Sequence, residues 1–176
     1  MNLAAILYEA DEGPEADILL SAVANALKAQ GVKLAGAVQS NVAAPNRTRC
    51  HILLEDLSTG RTVNASEDRG PLATGCRLDA GALEDVVGLS AAGLSTETAL
   101  VIVNKFSKRE TEGAGFRPLI ENAVVLGIPV LAAVKRTHLD AWSAFVGEEP
   151  VLLPLDRNAV REWCERAIAH ADVSEA

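Results

Sequence analysis

The stretch Ala99–Glu112, A-L-V-I-V-N-K-F-S-K-R-E-T-E, joins a continuous apolar run to a dense group of polar side chains. Its first part, Ala99–Val103, has the unbroken, β-branched character of a strand that is covered on both faces, as in a parallel sheet. Ligands of open α/β sheets bind outside the carboxyl ends of the strands. The polar residues that follow therefore stand where chemistry is expected: Asn104, Lys105, Lys108, Arg109, Glu110 and Glu112.

The chain before this stretch begins with a β-α-β pattern. Leu3–Tyr8 predicts a short buried strand, and Ala16–Gln30 predicts a helix because its apolar residues recur at helical spacing. Gly31 is suited to end that helix, and Val32–Gln39 predicts a second strand. Such a unit is typical of sheets in which parallel strands are joined by helices.

A β-hairpin is predicted next. Cys50–Leu57 has the composition of a strand, Ser58-Thr59-Gly60 that of a turn, and Arg61–Ala65 that of a returning strand. Asp79 is placed to cap a helix that runs from Ala80 to about Leu89.

Helices and strands continue to alternate after the central stretch. This alternation predicts a single domain over residues 1–176, an α/β fold of three layers with a mostly parallel sheet and the β-hairpin as an insertion. The predicted elements are the helix Phe116–Leu126, the buried strand Val130–Val134, the helix Leu139–Val146, the strand Val151–Leu153 and the helix Asp156–Ala169.

Charge and composition narrow the partners of the protein. A chain of 176 residues suffices for one domain with a proper core, and its net charge of −8 disfavours nucleic acid as a partner. A local group of cations can still bind a small anion. No apolar run approaches the roughly 20 residues that span a bilayer, so no membrane partner is expected. No basic stretch precedes the first apolar segment, which predicts a cytoplasmic protein without a signal peptide.

Three cysteines, Cys50, Cys76 and Cys164, occur without a C-x-x-C pair, which indicates reduced thiols. A zinc site is disfavoured because only Cys50 and His51 are close in sequence, and neighbours in a strand point to opposite faces. Cys164 lies on the apolar stripe of the last predicted helix and is expected in the core.

Five segments together resemble a known fold family. They are Ile6–Glu9 (I-L-Y-E), Leu54–Arg61 (L-E-D-L-S-T-G-R), Gly75–Asp79 (G-C-R-L-D), Val103–Glu110 (V-N-K-F-S-K-R-E) and Gly127–Leu131 (G-I-P-V-L). The chain resembles the P-loop NTPase-like fold over nearly its whole length. It is most similar to an uncharacterised bacterial family, a domain of unknown function, related to the small thermophilic-type nucleoside triphosphatases. The resemblance implies a link to molybdenum or other oxyanion homeostasis.

The first loop departs from the pattern of this fold. A working phosphate loop reads G-x-x-x-x-G-K-[ST], because backbone N–H groups wrap the phosphates, the lysine neutralises them and the hydroxyl holds magnesium. The corresponding stretch here, Glu9–Glu15, reads E-A-D-E-G-P-E, with one glycine, no lysine and four carboxylates. Two like charges about 4 Å apart repel by roughly 1 kcal/mol even in water, so a triphosphate is disfavoured.

The end of the central strand departs as well. The small triphosphatases carry an acidic pair there, followed by a later acidic residue; the corresponding positions are Asn104-Lys105 and Glu110. With the acidic pair and the phosphate loop both altered, the Walker motifs are predicted to be degenerate. Standard NTP hydrolysis is not expected, and no catalytic residue or metal ligand is assigned.

The sequence favours a binding site for a small anionic or nucleotide-like ligand at this edge. Lys105 and Lys108 are predicted to neutralise the anion, Asn104 to donate a hydrogen bond, and Glu110 to orient a lysine. The alternative is a solvated loop whose charges pair with Glu110 and Glu112.

A second loop adds candidates. Arg77 is predicted to approach the anion from the facing side, and the adjacent Cys76 to act as a reactive thiol or soft ligand. The acidic loop Glu9–Glu15 is interpreted either as a cation site or as residues that serve a helix N-terminus.

Two other functions stay open, and no cofactor is identified. One is an enzyme that acts on a phosphorylated or pterin-like metabolite without a standard P-loop. The other is a regulatory or scaffold protein with a protein partner or a second copy of the chain. Hydrolysis by acyl transfer has no support, because the sequence has neither a Ser-His-Asp order nor a G-x-S-x-G elbow.

Overall fold

A computed structural model describes residues 2–43, 50–67, 78–147 and 150–174. The strands are β1 (Leu3–Tyr8), β2 (Leu34–Ala43), β3 (Cys50–Asp56), β4 (Thr62–Asn64), β5 (Leu100–Phe106), β6 (Val130–Lys135) and β7 (Val151–Leu153). The helices are α1 (Gly13–Ala29), α2 (Ala80–Gly93), α3 (Lys108–Thr111), α4 (Arg117–Val125), α5 (Leu139–Val146) and α6 (Arg157–Ser174), with a 3₁₀ turn at Arg136–His138.

The strands form one seven-stranded sheet in the order β4-β3-β2-β5-β6-β1-β7. Five neighbouring strands, from β2 to β7 in that order, pair in parallel. The strands β3 and β4 pair antiparallel and extend the sheet beyond β2. The predicted α/β class, the mostly parallel sheet and the hairpin are therefore confirmed.

Helices cover both faces of the sheet and give three layers. On one face, α1 and α6 pack against the sheet around Leu20, Ile102 and Leu131. On the other face, α2, α4 and α5 pack around Val103, Phe106 and Trp142. The side chains of β5 alternate between these two cores from Leu100 to Val103, which explains why this part of the strand is apolar without interruption.

Gly36 lets β2 approach β5 closely. Its φ is +95°, and a Cβ atom at this position would collide with the backbone carbonyl of Ile102. Only glycine combines a positive φ with room for that contact. The close parallel pairing of these two strands therefore depends on this residue.

The hairpin is held to the sheet by Asp56, which is fully buried. One carboxylate oxygen accepts hydrogen bonds from Ser58 and Thr59, and the other accepts one from Ser90 on α2 at 2.8 Å. Burial by itself would raise the pKa of Asp56, but these hydrogen bonds outweigh it and hold the pKa below its ordinary value. The buried charge thus joins the β3–β4 turn to a helix.

Several elements run further than the sequence predicts. β5 continues to Phe106 rather than ending at Val103, because the Phe106 ring is fully buried and meets the ring of Trp142 edge-on at 5.1 Å between centroids. β2 continues to Ala43 because it pairs with β3 over that length. α2 extends to Gly93, α6 extends to Ser174, and the short helix α3 has no counterpart among the predicted elements.

Two further sequence expectations can be compared with the structure. Cys164 is fully buried, as predicted. Among the described residues, no helix combines the length and the apolar character that crossing a membrane requires.

Gly36→Ala is expected to lower the free energy of unfolding by about 3 kcal/mol or more, because it adds both left-handed backbone strain and a clash with a central strand. Urea unfolding followed by tryptophan fluorescence measures this change. Gly60→Ala is the matched control, since Gly60 has a φ of +73° and no atom within 4 Å of the added Cβ. That control should lose only about 1 to 2 kcal/mol, and equal losses would contradict the close-approach argument.

Candidate ligand-binding site

The carboxyl ends of the parallel strands form one edge of the sheet. Tyr8 at the end of β1 is in register with Lys135 at the end of β6, and Phe106 at the end of β5 is in register with Val134. The N-terminus of α1 follows β1 at the same edge. The predicted site residues Asn104 and Lys105 lie at this edge, in the last part of β5.

Lys105 is turned toward α1 by an irregularity in β5. The register between β5 and β6 shifts between Val103 and Phe106, so Lys105 leaves the regular alternation. Its ammonium lies 3.0 Å from a carboxylate oxygen of Asp17 and 5.5 Å from the centroid of the Tyr8 ring. The lysine predicted to neutralise a ligand is therefore paired with a carboxylate of the protein itself.

Asp17 connects this lysine to β2. Its side chain is only 5% exposed, and its Oδ2 atom accepts hydrogen bonds from Gln39 at 3.3 Å and from Asn41 at 3.4 Å. Its Oδ1 atom faces the lysine without an aligned hydrogen bond. Because removing one partner of a buried ion pair leaves an uncompensated charge, Lys105 and Asp17 depend on each other.

Tyr8 contributes a neutral ring to the site. Burial, and secondarily the negative charge of Asp17, raises the pKa of Tyr8 to about 12. The phenol therefore stays protonated near neutral pH, and its face is available to the Lys105 ammonium as a weak cation–π partner.

Asn104 is buried without a hydrogen-bond partner. Its side chain is 2% exposed, and neither its amide nitrogen nor its amide oxygen has a partner within the described part of the chain. An unsatisfied buried amide costs about 1 to 3 kcal/mol, so this side chain is suited to bind a group that enters from outside.

The acidic first loop is partly used by the protein itself. Glu9 forms an ion pair with Arg136, and Glu12 accepts a hydrogen bond from the Glu9 backbone at 2.7 Å. Glu15 lies in the first turn of α1, where a carboxylate interacts favourably with the helix dipole. Residues 2–43, 50–67, 78–147 and 150–174 contain no group of three His, Cys, Asp or Glu side chains that could hold a metal ion.

The structure gives Lys108 and Glu110 different surroundings from those of Asn104 and Lys105. Lys108 is 82% exposed and lies 3.8 Å from Glu112. Glu110 is 1% exposed and accepts hydrogen bonds from the backbone of Ser107 at 2.8 Å and of Phe116 at 3.1 Å. Glu110 therefore joins the two ends of the segment from Ser107 to Phe116, which follows β5 and contains α3.

Burial raises the pKa of Glu110, and the hydrogen bonds from Phe116 and Ser107 lower it by less. Gly115 lies against this carboxyl, because a Cβ there would collide with the Glu110 oxygen. The hydrogen bonds of Glu110 thus come from the backbone around it and from the Ser107 hydroxyl, whereas its predicted role is to orient a lysine.

Two predicted site residues, Cys76 and Arg77, lie outside the described residues, and their roles stay predictions. Conversely, the site contains Asp17, Gln39 and Asn41, which sequence reasoning did not assign to it. Asp17 carried a usable signal, because it interrupts the apolar face of α1 one turn before Leu20. The two β2 residues carried none, because their proximity depends on the path of β2 beyond β5.

Comparisons with known proteins agree with this architecture. Residues 3–163 match the model of a family described as "Protein of unknown function (DUF2478)". A curated relative is "Molybdenum import ATP-binding protein ModC 2" of Bradyrhizobium diazoefficiens, which is 34% identical over 162 residues. The aligned region covers 92% of this chain but only 18% of the relative. No solved structure matches the chain. The P-loop NTPase-like fold predicted from the sequence is confirmed, in an uncharacterised family related to P-loop NTPases.

Glu110→Gln is expected to gain stability relative to the unchanged protein as pH rises. Because the pKa of Glu110 is higher in the folded protein than in the unfolded chain, the protonated carboxyl stabilises the fold at low pH. This stabilisation is lost as the pH rises from about 4.3, the pKa of an unperturbed glutamate, through the pKa of the folded protein. The substituted amide does not ionise, so the difference in unfolding free energy should grow across that range in urea titrations. Glu121→Gln, at an exposed carboxyl on α4, is the control. A difference that is flat with pH would contradict the argument.

Proposed function

This chain belongs to the DUF2478 family, and we propose that it binds a small anion at the carboxyl edge of its sheet without hydrolysing a nucleoside triphosphate. Asn104 and Lys105 are the residues that would receive the anion. The proposal covers binding and assigns no catalytic residue.

The observation that carries the proposal is the unpartnered, buried Asn104 amide next to Lys105, within the part of the chain that the structure describes. An amide donor and an ammonium at adjacent positions supply a neutral and a charged hydrogen bond, which suits an oxyanion. Their place at the end of a central parallel strand agrees with where such sheets bind ligands. A bound anion would also remove the cost of burying the Asn104 amide unsatisfied.

The charges around the site favour a small anion over a triphosphate. Glu9, Asp11, Glu12 and Glu15 all lie in the short segment between β1 and the first turn of α1. Only Glu9 among them has a cationic partner in the described part of the chain, Arg136. An extended chain of phosphates along this segment would meet the remaining carboxylates, whereas a single tetrahedral group at Lys105 would not need to cross it.

Binding in this way requires an exchange of partners. The Lys105 ammonium is held by Asp17, so an anion must compete with that carboxylate. A strongly charged, compact oxyanion can do so, and a weakly charged ligand cannot. We infer that Asp17 sets a threshold of charge for the site.

The relative suggests which anion to test first. Its printed name refers to molybdenum import and to ATP binding, and the chain spans 18% of its length. We propose that the ligand belongs to molybdenum or other oxyanion homeostasis, with molybdate as the first probe. Molybdate is a tetrahedral dianion and fits the charge argument above.

Calorimetric titration with molybdate, sulfate, phosphate and ATP is expected to give one-site binding of a small oxyanion. Lys105→Met should weaken it at least tenfold, because a charge-assisted hydrogen bond contributes about 1.5 to 3 kcal/mol. Asp17→Asn should strengthen it, because the competing charge is removed while the side-chain shape is kept. Lys33→Met is the matched control and should leave the affinity for the oxyanion unchanged. Lys33 is an exposed lysine directly before β2, and it forms an ion pair with Glu97.

Lys105→Met leaves Asp17 buried and unpaired, so circular dichroism must first show that the variant folds. The double variant Asp17→Asn with Lys105→Met removes both charges and keeps the test available if the single variant does not fold. Failure of all four probes to bind would refute the proposal. Weaker binding of the oxyanion by Asp17→Asn would contradict the competition between the anion and this carboxylate for Lys105, and would refute the proposal as well.

A further inference from the structure

A groove of about 400 Å³ lies between α1 and the distal half of β2. Polar side chains of both elements line it, namely Asp17 and Asn25 from α1 and Gln39 and Asn41 from β2. Ile18 and Ala22 of α1 add an apolar wall. A volume of this order with a few convergent polar groups is typical of small-molecule sites.

The path of β2 creates this groove. β2 pairs with β5 only from Leu34 to Ala37, and beyond that point it continues to Ala43 paired with β3. Gln39 and Asn41 therefore lie in the part of β2 that no longer pairs with β5. α1 runs alongside, and the space between them is the groove.

The polar groups of the groove are held loosely. The hydrogen bonds from Gln39 and Asn41 to Asp17 measure 3.3 and 3.4 Å, and Gln39 donates to Asn41 at 3.3 Å. These distances are beyond the usual N–H···O range, so a ligand can replace such bonds at little cost. Asp17 Oδ2 and the nearby amides are thus available to an incoming molecule.

We propose that this groove binds a 2-amino-4-oxopyrimidine ring, the hydrogen-bonding edge shared by guanine and pterins. A single carboxylate oxygen can accept from both the ring N–H and the adjacent amino group, and an amide N–H donates to the neighbouring ring carbonyl. Carboxylate and amide side chains recognise the edges of nucleobases through the same donors and acceptors. Asp17 is the acceptor, and Gln39 and Asn41 are the donors.

The apolar wall completes the match. Ile18 is 70% exposed, so a large apolar side chain stands open to solvent beside the polar cluster. The face of a flat ring that enters the groove would cover it. A neutral ring also avoids the repulsion that an anion would meet from Asp17 on this side.

The ring site goes beyond the proposed anion site and does not require it. The groove uses Asp17 Oδ2, whereas Lys105 lies at Oδ1. Neutral ring compounds and inorganic molybdate therefore test the two sites separately, and either can fail while the other holds.

Ligand-observed NMR and calorimetry with guanosine, neopterin, inosine and adenosine test the proposal on the full chain. Guanosine or neopterin is expected to bind with one site, and whichever binds more tightly identifies the source of the ring. Inosine lacks the amino group and should bind at least tenfold more weakly than guanosine. Adenosine, whose edge has the opposite pattern of donor and acceptor, should not bind.

Gln39→Ala and Asn41→Ala should each weaken ring binding about tenfold, and Asn122→Ala, on the exposed surface of α4, is the control. Asn25→Ala should weaken ring binding and leave molybdate affinity unchanged, because Asn25 lies two turns of α1 beyond Asp17. Absence of saturable binding by both guanosine and neopterin at millimolar concentration would overturn the proposal. Equal affinity for inosine and guanosine, or binding unaffected by Gln39→Ala and Asn41→Ala, would overturn it too.

Discussion

The burial of β5 on both faces is the constraint on which the rest of the structure depends. Its residues from Leu100 to Val103 are fully buried, alternately in the core beneath α1 and α6 and in the core beneath α2, α4 and α5. The strand needs close neighbours on both sides, and Gly36 provides one of them by letting β2 approach the backbone of Ile102. The apolar run ends at Asn104, but the helices on the two faces of the sheet still cover the strand there, so this polar side chain is buried.

The polar side chains at and after the end of β5 differ in whether they have a hydrogen-bond or ion-pair partner, and the binding proposal rests on this difference. Lys105 is neutralised by Asp17, and Glu110 is occupied by the backbone of Ser107 and Phe116. The Asn104 amide has no such partner within the described residues. Under the proposed function, an edge with balanced charges and one unsatisfied amide binds its ligand by exchanging partners, which differs from a permanently basic site that attracts any phosphate.

Local patterns predicted much of the fold. The helix Leu139–Val146 and the strand Val151–Leu153 have the predicted bounds, because turn residues and apolar spacing mark both ends. The extension of β5 to Phe106 was not predictable, since it depends on Phe106 meeting the ring of Trp142. The helix α3 escaped prediction for a similar reason: four residues carry no periodicity, and a capping box between Ser107 and Glu110 maintains it.

The sequence by itself determined the α/β class, the central place of the Ala99–Glu112 stretch and the presence of Asn104 and Lys105 at its polar end. These features follow from apolar periodicity and residue order, which are local properties of a chain. Only the tertiary structure decided that Lys105 faces Asp17, that Asn104 lacks a partner among the described residues and that a groove opens beside β2. The physical reason is that ion pairs, unsatisfied amides and cavities depend on groups brought together from distant segments, and no local pattern records which groups meet.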